Sequence, residues 1–322
     1  MLNELLKDID PFWLSIFAFI FGAFVGSFLN VCIYRVPRGE SIVSPPSHCP
    51  QCGQRIRFYD NIPIVSFLFL RGRCRTCQTP ISPQYPFVEL LMAIISILLL
   101  RRFGTTPDFV GYFIFAAAIV VISGIDIAHR IIPDRISLPG IVAGLVFSLV
   151  TPAMALFDSV VGIVTGGGSL LLVALGYAGF LRLRERIRGT THQEETEKAL
   201  EGLSLEELRK EAALYGVDTE NLHGRKELVR AIGEAKGEGM GGGDIKLLAM
   251  IGSFLGGWKP ILFVILVGSF LGCVVGVPLM FLKGRDSKYA IPFGPFLGGR
   301  GIIYKKRGME LIRWYLRLGR YG

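Results

Sequence analysis

Two aspartates stand where an apolar chain tolerates them least. Asp126 closes the run Val120-Val121-Ile122-Ser123-Gly124-Ile125, and Asp244 follows Gly241-Gly242-Gly243 and leads straight into Ile245-Lys246-Leu247-Leu248-Ala249-Met250. A carboxylate at the mouth of a spanning helix is costly to hold there, so its default reading is a functional site. Two ordinary helix-end acids are the bland alternative.

Four cysteines carry a second chemistry. Cys49-Pro-Gln-Cys52 and Cys74-Arg-Thr-Cys77 are C-x-x-C pairs separated by 21 residues, close to the spacing of four-cysteine zinc sites. A two-residue gap lets both thiolates of a pair face one tetrahedral metal, and Gly53 permits the tight turn after the first pair. Two redox dithiols are the alternative, disfavoured in a reducing cytoplasm. Four thiolates leave a Zn²⁺ site near −2, and Arg55, Arg57, Arg73 and Arg75 are placed to offset it. Four protein ligands close the site, so this zinc is expected to be structural. His48 reads as a bystander, and Cys32 and Cys273, inside apolar segments, as small fillers.

The elements that position these groups belong to a membrane protein. Of 322 residues 51% are hydrophobic and only 19% charged, where a soluble domain carries about a quarter. Mean hydropathy is +0.49. Apolar spans are expected at 12–33, 86–100, 109–125, 136–150, 158–181, 245–257, 260–282 and 291–304. The first does not resemble a cleavable signal, since Lys7 is outnumbered by Glu4, Asp8 and Asp10. This threading leaves Lys7, Arg101, Arg102 and Lys259 on the outside and most other basic residues in the cytoplasm, as the positive-inside rule asks. Both aspartates then fall at the cytoplasmic face. The net charge of +9 is thus sorted by side rather than directed at nucleic acid.

Further motifs surround these groups. The first span ends in Gly22-Ala-Phe-Val-Gly26-Ser27-Phe-Leu-Asn30-Val31, whose glycine spacing admits a close neighbouring helix. Asn30 is polar near that helix end and needs a partner. Together, Gly26-Ser27-Phe28-Leu29-Asn30-Val31, the paired cysteines, Asp60-Asn61-Ile62-Pro63, Arg71-Gly72-Arg73-Cys74, the Asp126 segment with Ile132-Pro133-Asp134, Met240-Gly241-Gly242-Gly243-Asp244-Ile245-Lys246 and Ile291-Pro292-Phe293-Gly294-Pro295 follow one another in order. This series resembles the bacterial type IV prepilin peptidases, membrane aspartyl proteases that also serve type II secretion and competence pilins.

The resemblance implies that Asp126 and Asp244 form a catalytic pair. They are 118 residues apart, so only helix packing could join them. Two carboxylates a few ångströms apart share a proton; the ionised member takes a proton from water and the other donates to the scissile carbonyl. Gly241 and Gly243 suit a backbone that admits a peptide strand. Lys246 either biases the pair's ionisation or snorkels to headgroups. Asp134, after Pro133, is expected to cap the next helix. The resemblance also implies prepilin or pseudopilin substrates and, as the zinc-bearing segment goes with bifunctional members, N-methylation of the new N-terminus from S-adenosylmethionine. No donor pocket is legible in the sequence.

The fold expected is an all-α polytopic membrane protein of about 7–8 transmembrane helices in the bacterial inner membrane. Its parts are a first helix at 12–33, a cytoplasmic zinc domain at 34–85, helices over 86–181, an insertion at 182–238, helices over 239–304 and a basic amphipathic tail at 305–322. The insertion, with helices near Leu205–Lys210 and Arg225–Ile232, resembles the SAP type of nucleic-acid module. It holds 11 Lys and Arg against 13 Asp and Glu, which opposes phosphate binding and favours a spacer or docking role. Two other classes compete. A proton-coupled transporter predicts ionisable groups near mid-span, and a zinc-organised scaffold leaves the Gly241–Asp244 motif unexplained. A peptidase without the methyltransferase is the nearer alternative.

Overall fold

The computed structural model describes residues 10–152, 154–188, 200, 202–214, 224–237 and 242–283. Every regular element among them is helical, apart from two isolated bridges within 48–80. Helix α1 (Pro11–Arg35) begins at Asp10, whose carboxylate accepts the Phe12 N–H, with Pro11 at the first helical position. After α1 comes an irregular lobe with 3-10 turns at Val36–Arg38 and Phe58–Asn61 and one short α-helix, α2 (Val65–Phe69). Then follow α3 (Gln84–Phe103), α4 (Pro107–His129), α5 (Asp134–Val150) and the 33-residue α6 (Leu156–Arg188). Short helices α7 (Leu205–Leu214) and α8 (Arg225–Gly237) precede α9 (Gly242–Leu255) and α10 (Trp258–Lys283). Three segments, Pro11–Arg38, Pro107–His129 and Leu156–Arg184, are long and apolar enough to cross a membrane, with a shorter apolar helix at Trp258–Val274. The expected span at 291–304 and the basic tail lie outside the described residues, as do Met240 and Gly241.

Small residues set how the helices meet. A Cβ on Gly22 would lie 2.6 Å from the Met92 carbonyl oxygen, and one on Gly26 2.7 Å from the Glu89 Cα. The later glycine of α1 meets the earlier part of α3, so the pair is antiparallel and in backbone contact, as the glycine spacing suggested. A Cβ on Gly162 of α6 would come within 2.1 Å of the Gly252 carbonyl oxygen, and one on Gly166 within 2.5 Å of that of Leu248. Helix α9 thus lies antiparallel against α6, and its segment Leu247–Leu255 is wholly buried.

Two cores result. The main one joins α1, α3, α4 and α9 through residues such as Met92, Phe115, Ile122, Ile125, Leu248 and Met250. The insertion has its own: Leu200, Leu208, Ala212, Leu228, Val229 and Ile232. Its first helix starts with a capping box, in which Ser204 and Glu207 bond reciprocally, the Ser204 N–H reaching Glu207 Oε2 at 2.8 Å. One filler expectation is corrected here. Cys32 is buried, but Cys273 lies on an exposed face of α10.

Candidate functional site

Helix direction brings three features to one end of the bundle. Helix α1 runs toward the lobe and α3 returns from it. The connection from α3 to α4 lies at the far end, where Phe103 stacks on Tyr112 at 4.9 Å. Helix α4 therefore comes back to the lobe end, where a Cβ on Gly124 would touch Ile33 of α1 at 2.6 Å. Asp126 is in this last stretch of α4, and only 6% of it is exposed.

Asp244 occupies the first turn of α9. Phe115 of α4 packs on Phe254 of α9 with ring centroids 4.9 Å apart, and Phe147 of α5 also contacts Phe254. Asp126 lies 11 residues after Phe115 and Asp244 lies 10 before Phe254, about 16 and 15 Å of helical rise. The aromatic crossing thus sets both carboxylates at nearly one depth. Asp244 is half-buried and within electrostatic reach of Asp126.

The start of α9 is held from the side. A Cβ on Gly243 would be 2.8 Å from the Ile132 Cβ, so this glycine lets the turn press on the segment joining α4 and α5. Lys246 Nζ donates to Asp134 Oδ2 at 2.7 Å. This settles two expectations. Asp134 does not cap α5, since Pro133 holds the cap position and no side-chain cap bond forms. Its carboxylate instead binds Lys246, a partner that neither expectation for that lysine supplied.

The cysteine lobe is built from two matching knuckles. In the first, the Cys49 N–H donates to the Gln54 carbonyl and the Gly53 N–H to that of Cys49. In the second, the Cys74 N–H reaches Thr79 and the Gln78 N–H reaches Cys74. Gly53 (φ 68°) and Gln78 (φ 59°) occupy the same left-handed position. The glycine was a visible turn signal; the glutamine was not. One ligand atom from each of Cys49, Cys52, Cys74 and Cys77 lies within 4.8 Å of the others, and the Cys49 and Cys77 sulfurs are 3.8 Å apart. A tetrahedral site with metal–sulfur bonds of about 2.3 Å has edges of roughly 3.8 Å. The donor set fits one closed metal site. Hydrogen bonds with the Thr79 hydroxyl and backbone N–H bring the Cys77 thiol down to about 6 while Cys52 is pushed up to about 11, so the quartet's charge gathers first on Cys77.

Around the quartet, His48 stays apart, its Nδ1 3.2 Å from the Pro46 carbonyl oxygen. Of the expected counter-charges, Arg75 is committed to Asp60 at 2.6 Å and Arg57 to the Tyr59 hydroxyl. Asn30 finds part of its partner set, its Nδ2 donating to the carbonyls of Gly26 and Tyr85. Glu89 was overlooked because a single acid at the start of an apolar span reads as a helix-end charge. It is 7% exposed, and its Oε2 accepts the Ile64 N–H at 2.7 Å.

Comparison with known proteins agrees in both halves of the chain. Residues 20–103 match the bacterial peptidase A24 N-terminal domain and residues 113–277 the type IV leader peptidase family. A prepilin leader peptidase/N-methyltransferase of Myxococcus xanthus (strain DK1622) is 34% identical over 84% of this chain, which spans 64% of that relative's length. One of Aeromonas hydrophila is 31% identical over 98% of both chains, and one of Pseudomonas aeruginosa 30% identical over 92% of both. No solved structure matches.

Proposed function

The chain belongs to the type IV leader peptidase family, and on that premise we propose that Asp126 and Asp244 are the catalytic carboxylates that remove the leader from type IV prepilins or pseudopilins. The arrival of these two carboxylates at one end of the bundle, within electrostatic reach of each other and from helices far apart in sequence, supports the proposal. With one carboxylate ionised and the other protonated, the first takes a proton from water as the oxygen attacks the scissile carbonyl carbon, and the second donates to the carbonyl oxygen. Collapse of the tetrahedral intermediate breaks the C–N bond, and the new amine leaves with a proton. Ile132, through Gly243, acts as a positioning group for Asp244, and the exposed Lys246–Asp134 pair adds little to it.

The chain is a bacterial membrane protein with several apolar helices. We read its organisation as 7–8 spans, with a metal-bearing domain at 34–85 and a small helical insertion at 182–238. The positive-inside bias supports a cytoplasmic position for the lobe, the insertion and both aspartates. Zinc suits the four cysteines, and four thiolates leave no open position, so it would hold the lobe's fold rather than take part in the reaction.

The relatives' naming supports a second activity, N-methylation of the amine freed by cleavage. S-adenosylmethionine would supply an electrophilic methyl group: the neutral amine's lone pair forms the N–C bond as the S–C bond breaks, sulfur keeps its electron pair, and the extra proton passes to solvent. Incubating the purified protein in detergent with a prepilin and this donor tests both activities. Loss of the leader and a gain of one methyl by mass spectrometry are expected. An uncut prepilin would overturn the peptidase reading, and cleavage without methylation would limit the protein to that single activity.

A further inference from the structure

Between the C-terminal end of α1, the start of α3 and the cysteine lobe lies a cavity of about 640 Å³. Its size falls within the roughly 300–1,000 Å³ of small-molecule sites. Neither Asp126 nor Asp244 lines it, so it is separate from the proposed peptidase centre. Cys49 and Cys74 contribute to its wall, so the knuckles shape it.

Two buried polar groups in its lining lack the partners their burial calls for. The Asn30 Oδ1 is buried with no hydrogen-bond partner, although its Nδ2 has two. Glu89 accepts from the Ile64 N–H, but among the described residues no Lys, Arg or His forms an ion pair with it. A buried carboxylate without a cation is expensive, and of its roughly four acceptor positions the Ile64 N–H fills one. An unfilled amide oxygen and a carboxylate on adjacent helices form an acceptor-only pole. It suits a ligand that brings a cation with N–H donors. Phe67 and Tyr85 also line the cavity and offer apolar ring surface to a flat heterocycle.

We propose that this cavity is the methyl-donor site, in which Glu89 and Asn30 receive the α-ammonium of S-adenosylmethionine. The proposal rests on the methyl-transfer reading above and adds its place in the fold. It also links the cysteine lobe to the second activity, because the metal holds one wall of the donor site. Cleavage and methylation are then assigned to different helix pairs, α4 with α9 and α1 with α3.

The test is equilibrium binding to the full-length, zinc-loaded protein in detergent, with S-adenosylhomocysteine and with 5′-methylthioadenosine, which lacks the amino-acid part. Glu89→Gln should weaken the first by at least about tenfold and the second by less than about twofold. Ultraviolet cross-linking of radiolabelled S-adenosylmethionine to the wild-type protein should label peptides within 27–35 and 81–89. This second measurement decides the matter if the variant does not fold. Unchanged affinity in Glu89→Gln with labelling elsewhere would overturn the site while leaving methyl transfer intact. Equal weakening of both ligands would overturn the ammonium assignment. If the wild-type protein binds neither ligand, the methyl-transfer reading fails and the site fails with it.

Discussion

The cysteine lobe and the aspartate face share one end of the molecule but are assembled in opposite ways. In the lobe, each knuckle closes within six residues through its own backbone hydrogen bonds, and a metal would join the two halves. At the aspartate face nothing is local. Asp126 and Asp244 come to one end of the bundle, within electrostatic reach of each other, and an aromatic crossing at the other end of α4, α5 and α9 ties those helices together. A site of the first kind fails by losing its ligands. One of the second kind fails by losing its packing or its two reactive atoms, and tolerates changes around them.

The largest effect expected is at the aspartates. Asp126→Asn or Asp244→Asn, each expressed and inserted normally, should lower prepilin cleavage by about four orders of magnitude or more, because neither carboxylate can serve as acid and base alone. Retained cleavage in either variant would remove the dyad from the comparison. Next comes the metal. Cys49→Ser or Cys74→Ser should lose the single zinc per chain by elemental analysis and expose segment 34–85 to limited proteolysis. Methyl transfer should disappear, while cleavage falls by less than about a hundredfold. An equal loss of both would show that the two regions are one unit.

Smaller effects sharpen the contrast. The insertion has its own core, so replacing 188–236 by a short Gly/Ser linker should keep cleavage within about tenfold, a barrier change of roughly 1.4 kcal/mol. A loss of several orders of magnitude would make it part of the aspartate face. The smallest change belongs to Lys246→Met. Its bond to Asp134 joins side chains 38% and 53% exposed, and such pairs contribute about 0–1 kcal/mol. The rate of cleavage should change by less than about fivefold.

What the sequence revealed follows the same division. The helix at Pro107–His129 grew from an apolar run read as 109–125, and the Gly22–Gly26 spacing announced the contact with α3. The cysteine quartet was legible because its spacing is local. Gln78 was not, because a left-handed glutamine has no composition signal, and only its match to Gly53 reveals it. The Lys246–Asp134 bond spans 112 residues and depends on helix register, which no single-sequence pattern encodes. Glu89 stayed hidden for a related reason: its neighbours come from α1 and the lobe, so only the assembled cavity shows that an acid there lacks a cation among the described residues.

Helix α6 has one more consequence. Its 33 residues rise about 50 Å, against a hydrocarbon thickness of roughly 30 Å, and a tilt of about 20° shortens its vertical reach only to about 47 Å. About 15–20 Å of it therefore reaches past the hydrocarbon into headgroups and water, and its last two turns carry Arg182, Arg184, Arg186 and Arg188. The insertion is moored at two heights, the top of this mast and the start of α9 at the level of Asp244. The two mooring points are thus offset along the bundle axis, and rigid helix carries the chain out of the hydrocarbon before the insertion begins.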